Sequence, residues 1–157
     1  MDVQAKEQFL ATEFTALLRN ADAETKGAWG KLSLQGMVEH FSDAVRMASG
    51  KQKIDNILTP AENIPKMQAF LLTDKPFRPN TANALMSEEP APLRQPNVDA
   101  AVDELQHELD HFFAVFRDGL THTRNPFFGD LNYELNVHLL YKHALHHLRQ
   151  FGLVAEA

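Results

Sequence analysis

The sequence predicts an all-α protein, a four-helix bundle with a long crossover between its second and third helices. Three observations predict it. Four segments carry apolar residues at helical spacing, no credible strand pattern interrupts them, and the connections run short, long, short. At 157 residues and 44% hydrophobic content, the chain suits a single domain, 1–157, with its own core and no room for a second.

The first helix is expected from about Asp2 to Asn20, with Val3, Phe9, Leu10, Phe14, Leu17 and Leu18 in its apolar stripe. Asn20 to Gly30 reads as a connection containing Gly27 and Gly30. Ser33 offers the N-cap of the second helix, in which Met37, Phe41, Ala44 and Ala48 recur on one face, and Gly50 ends it. From Lys51 to Pro96 the pattern dissolves. A short helix around Ala61 to Leu72 fits there, and the prolines at 76, 79, 90, 92 and 96 rule out a long one beyond it. This stretch reads as a crossover wrapped over the body, with Phe77 and Arg78 as candidates to roof a site.

Asn97 can cap the third helix, which is expected to run to about Gly119 along the seam Val98, Val102, Leu105, Leu109, Phe112 and Phe116. A turn with Asn125-Pro126 and Gly129 follows. Asp130 or Asn132 then caps the fourth helix, through to Phe151 and Gly152.

Bulk properties exclude several functions. Net charge is −6 without a Lys/Arg cluster in sequence, so nucleic acid is not an expected partner. There is no cysteine, which removes disulfides, thiolate metal sites and a cysteine nucleophile. The polar N-terminus has no signal-peptide core, and no window reaches 18 consecutive apolar residues, so a membrane is not expected and a cytoplasmic location is. Glycine-rich phosphate loops and Gly-x-Ser-x-Gly are absent, and Ser33 and Ser42 lack an evident base.

The histidines carry the chemistry. His143 and His147 stand at i and i+4 on the fourth helix, the spacing that lets two imidazoles on one face reach one ion. A wheel puts both on one shoulder of the apolar arc Val137, Leu140, Ala144, Leu148 and Phe151, with Asn136 and Gln150 nearby. On the same wheel His138, Lys142, His146 and Arg149 read as a solvated group. His40 lies at the edge of the buried stripe of the second helix, where a bundle could supply a third ligand. Gln150 is a candidate to orient a ligand histidine by a hydrogen bond. Ordinary half-buried histidines are the competing explanation.

A decoy sits on the third helix. Glu104-x-x-His107 and Glu108-x-x-His111 resemble half of a di-iron carboxylate site, but they lie opposite the apolar seam and the fourth helix has no matching motif. Trp29 reads as an end-plug of the core in preference to a pocket residue, and Phe112, Phe113 and Phe116 as core or an oligomer contact.

Three segments resemble the DinB/YfiT-like superfamily of metalloenzymes. They are Trp29-Gly30-Lys31-Leu32-Ser33 leading into Met37-Val38-Glu39-His40, the turn Asn125-Pro126-Phe127-Phe128-Gly129, and Tyr141 to Gly152 with its His143-x-x-x-His147-x-x-Gln150 ending. The resemblance implies an up-down-down-up bundle, commonly a homodimer, with a divalent metal on His40, His143 and His147. It also implies a small-molecule substrate. Relatives include transferases and isomerases that use a low-molecular-weight thiol, activated by the metal.

The expectation from the sequence is therefore an enzyme using Zn²⁺ or Ni²⁺, either a thiol-dependent transferase or a metal-assisted hydrolase. Glu39 qualifies as a base only if it turns inward. The competing class is a non-catalytic dimeric bundle with a vestigial or structural metal site.

Overall fold

A computed structural model describes residues 2–79 and 89–155; the part of the expected crossover at 80–88 lies outside the described residues. The protein is mostly helical, with one small two-stranded sheet. Val3–Gln8, the π-helical turn Phe9–Glu13 and Phe14–Arg19 follow one another without a break and are together called α1. α2 is Leu34–Ser49, α3 is Ile64–Leu71, α4 is Val98–Arg117 and α5 is Tyr133–Gln150. A 3₁₀ turn, Ala61–Asn63, leads into α3. Between α4 and α5, β1 (His122–Asn125) pairs antiparallel with β2 (Gly129–Asn132).

The helix starts follow from side-chain caps, of which Ser33, Asn97 and Asn132 were expected from the sequence and Asp2 was not. Asp2, Ser33, Asn97 and Asn132 each accept a hydrogen bond from the backbone N–H three residues on, at 2.8 to 3.0 Å. Asn132 rather than Asp130 starts the last helix. α2 stops at Gly50, whose φ of 78° is the left-handed ending that glycine adopts without strain.

The hairpin corrects the expectation of a strandless chain. Asn125 Oδ1 accepts from the N–H groups of Phe127 and Phe128 at 2.8 and 3.0 Å, which closes a tight turn. The two strands then pair from Asn125 with Gly129 to His122 with Asn132. With four residues each, they are too short to register as alternation in the sequence. Thr123 anchors the hairpin: its hydroxyl donates to the Ala48 carbonyl at 2.9 Å and accepts from Asn136 Nδ2 at 3.0 Å.

One core joins α1, α2, α4 and α5, with Phe14, Phe41 and Phe112 as its largest fully buried side chains. Truncating any of them to alanine costs about 3–5 kcal/mol. A smaller cluster, Leu71, Phe128, Leu131 and Leu139, seats α3 and the hairpin against α5. α2 and α4 form the most extensive helix pair. Beyond apolar contact, Glu108, 3% exposed, accepts from Arg46 Nε at 2.6 Å and from Lys51. Arg94 then ties the end of the crossover to Glu104 at 2.8 Å.

The wheel is wrong about one face of α5. Lys142 is 7% exposed, and His138, His146 and Arg149 are half-buried, because α1 and the segment after α3 cover that side. No described helix is long and apolar enough to cross a membrane.

Candidate metal centre

Ser33 sets the phase of α2, so that His40, about two turns later, faces α5. Asn132 does the same for α5, and the four-residue spacing stacks His143 and His147 on one face. The three rings meet. Their centroids lie 4.6 Å apart for His143 and His147 and 5.3 Å from His40 to each of them. One nitrogen from each ring lies within 4.8 Å of the others. Among the described residues, no other three His, Asp or Glu side chains converge in this way. His147 Nε2 and His143 Nε2 are 2.8 Å apart.

Gln150 determines which nitrogen of His147 carries the proton. Its Nε2 donates to the Trp29 carbonyl at 2.8 Å, so its Oε1 is the atom facing His147 Nδ1, also at 2.8 Å. An amide oxygen only accepts, so Nδ1 holds the hydrogen and Nε2 presents a lone pair toward His143. The loop before α2 holds Gln150 from outside. The Ala28 N–H donates to the Gln150 carbonyl at 2.7 Å. A Cβ on Gly30, whose φ is 77°, would stand 3.0 Å from Gln150 Nε2, and one on Gly27 would stand 3.2 Å from Gln150 Cγ. Glycine at both positions lets the backbone close on the side chain.

Burial keeps these rings neutral. Desolvation is the largest cause in each case: it lowers His40, holds His143 well below the ordinary histidine value, and brings His147 down to about 3. The neighbouring imidazoles push His143 and His147 further down, while the Gln150 hydrogen bond opposes the shift at His147. Neutral imidazole is the form that binds a metal.

The donor set fits a divalent ion. Tetrahedral zinc with Zn–N of about 2.0–2.1 Å separates its nitrogens by about 3.3 Å. That value lies between the 2.8 Å contact and the 4.8 Å spread, so a small ring rotation brings all three into range.

Aromatic rings wall the cluster. Phe41 lies 4.7 Å from His143, centroid to centroid, and Phe77 approaches His143 and His146 edge-on at 6.4 and 6.0 Å. Phe77 thus takes up the roofing position the crossover was expected to provide. Trp29 corrects another expectation: it is half-exposed, outside the core, with its ring 5.5 Å from His146. His146 is therefore a rim residue of the cluster and not a solvated bystander. Phe41 read as core in the sequence; its adjacency to His40 was the only signal of a second role.

Glu39 turns away. It is 4% exposed and accepts from the backbone N–H groups of Arg94 at 2.7 Å and Gln95 at 3.2 Å, pinning the end of the crossover. Asn136, on the expected shoulder, bonds to the hairpin instead. His107 is exposed, and the neighbouring Glu104 and Glu108 are engaged with Arg94, Arg46 and Lys51.

Compared with family models, curated proteins and solved structures, the chain matches none of them.

Proposed function

We propose that this protein is a divalent-metal-dependent enzyme whose ion is held by His40, His143 and His147, in a four-helix bundle of the DinB/YfiT-like kind. The observation that carries the reading is the hydrogen bond from His147 Nδ1 to Gln150 Oε1. It fixes the tautomer whose free Nε2 faces the other two imidazoles, as the partners of metal-bound histidines commonly do. The bundle is supported by the single core shared by α1, α2, α4 and α5, with α3 outside it in the crossover.

Three neutral nitrogen donors suit Zn²⁺ or Ni²⁺ and leave the ion's charge uncompensated. Bound there, such an ion supplies Lewis-acid chemistry and favours the deprotonated form of a water or thiol reaching its open position. Gln150 holds the His147 proton at Nδ1, and Phe41, Phe77 and Trp29 limit water around the rings. Glu39 is committed to the crossover and takes no part in proton transfer. The reaction classes are transfer to or from an external low-molecular-weight thiol and hydrolysis of a small molecule. With no cysteine, the chain supplies no thiol of its own. A homodimer is carried over from the same resemblance.

The test is metal content by plasma mass spectrometry on tag-free protein, after incubation with zinc or nickel. About one ion per chain is expected from a single closed donor set, lost in His40→Ala, His143→Ala and His147→Ala and kept in the His107→Ala/His111→Ala control. No ion in the wild type would overturn the reading. If chelation unfolds the protein, the ion is structural and the non-catalytic alternative holds.

A further inference from the structure

The far side of α5 holds a second constellation. Between α1, the segment Thr73–Pro76 and the outer face of α5 lies a cavity of about 220 Å³. Lys6, Lys142 and Arg149 line it from the helices, and the exposed Lys75 lines it from the segment after α3, with Asp74 as its one carboxylate.

The three helix cations stand out because they are buried or half-buried without a carboxylate in contact. The one other half-buried cation among the described residues, Arg46, sits on carboxylates. Lys6, 5% exposed, meets His138 Nδ1 at 2.9 Å and the face of Tyr141 at 5.2 Å. Lys142, 7% exposed, donates to the Thr73 carbonyl at 2.8 Å and to the Lys75 carbonyl, and lies over the Phe70 ring. Arg149 Nε is buried without any hydrogen-bond partner among the described residues. None of the three forms an ion pair there, with Asp74 or any other carboxylate.

Asp74 lies near Lys6 and Lys142 and offsets part of their charge, but gathering more cations than carboxylates out of water still costs free energy unless a further anion joins them. The protein as a whole carries −6, so this local excess runs against its average. An orphaned guanidinium N–H beside two ammonium groups matches the oxygens of a tetrahedral dianion. The space is below the roughly 300 Å³ of ordinary small-molecule pockets. It accommodates one charged headgroup with little attached.

We propose that this cavity is a phosphate-binding site, taking free phosphate or the phosphate of a small monoester on Lys6 and Arg149, with Lys142 adding its charge from the wall that it holds. Thr73–Pro76 forms one wall of it, and neither His143 nor His147 lines it, so the site does not depend on the metal reading. Lys142 holds that wall through the Thr73 and Lys75 carbonyls, and the next residue after the wall is Phe77, which packs on His143.

The test is nitrogen-15 NMR of the purified protein at fixed ionic strength, titrated with inorganic phosphate, methyl phosphate and, for comparison, chloride. Phosphate should saturate at about 1 mM or below. The Arg149 Nε–H signal and the backbone signals of Thr73–Lys75 should shift together, and the imidazole signals of the metal cluster should not be the first to move. Arg149→Gln and Lys6→Gln should each weaken binding at least about tenfold, with the exposed Lys53→Gln unchanged. Tighter binding of methyl phosphate than of the free ion would assign the site to a ligand's phosphate group; the reverse would assign it to free phosphate. An Arg149 signal that does not move in the wild type overturns the proposal, whatever the variants do. So does a shift that chloride reproduces, which is screening only.

Discussion

Gln150 Oε1 lies 2.8 Å from Nδ1 of His147, while the amide nitrogen of the same side chain donates to the Trp29 carbonyl at 2.8 Å. One side chain therefore connects the loop before α2 to the tautomer of a histidine on α5. The Gln150 amide cannot flip without breaking both bonds.

Gln150→Leu removes the acceptor while keeping similar bulk. Loss of such a partner typically weakens metal binding 10–100-fold, and that range is expected here. A chelator-competition titration measures it, with His107→Ala as the unaffected reference. Equal affinities for Gln150→Leu and wild type would mean that the hydrogen bond does not set the ligand.

Gly30→Ala acts on the same contact from outside. The residue has a φ of 77°, and an added Cβ would stand 3.0 Å from Gln150 Nε2. A left-handed conformation alone costs a non-glycine residue about 1–2 kcal/mol. Urea unfolding should report at least that loss, and metal affinity should fall with it because Gln150 is displaced. A variant as stable as the wild type would contradict the strain expected at residue 30. A destabilised variant with unchanged metal binding would uncouple the loop from His147.

Much of this arrangement was legible in the sequence, and the failures have physical causes. The caps Ser33, Asn97 and Asn132 could be read because each satisfies a local rule within three residues. His40, His143 and His147 could be read because helical spacing fixes a face. The hairpin at His122–Asn132 escaped because strands of four residues carry almost no periodic signal. Lys142 and Arg149 were misjudged for a different reason. A wheel describes one helix, and what covers its polar face here is the Thr73–Pro76 segment, a distant stretch of irregular chain. Trp29 was misplaced likewise, since large aromatic residues near a helix start are usually core, and only the fold brings it to His146.

Glu108→Gln tests the joint between α2 and α4. Glu108 is 3% exposed and receives both Arg46 and Lys51. Removing one member of a buried ion pair costs about 3–5 kcal/mol, because the remaining charge stays unpaired. Arg46 and Lys51 are partly exposed, at 22% and 39%, and Arg46 keeps Asp43, so about 2 kcal/mol is the expected loss after solvent screening. Metal content should be unchanged, which separates this α4 glutamate from a ligand role. Loss of the ion in a folded Glu108→Gln protein would count against the three-histidine assignment.

The histidine cluster also sets a pH dependence for the metal-free protein. Burial lowers His40 and His143 and brings His147 to about 3, whereas the unfolded chain titrates near the ordinary value of about 6.5. Between those values the unfolded state binds protons that the folded state refuses. Stability is therefore full above about pH 6.5 and falls as pH drops toward 3. Each fully shifted histidine contributes a slope approaching about 1.4 kcal/mol per pH unit. Most carboxylates stay ionised above about pH 5, so urea unfolding at pH 7.5, 6.5 and 5.5 with chelator present isolates the histidine contribution. His147→Gln removes one titrating ring and should flatten the slope below pH 6.5 by about 1 kcal/mol per unit. Parallel curves for wild type and His147→Gln would mean that His147 takes up its proton in the folded state at the ordinary pH, and that the cluster is more hydrated than its packing indicates.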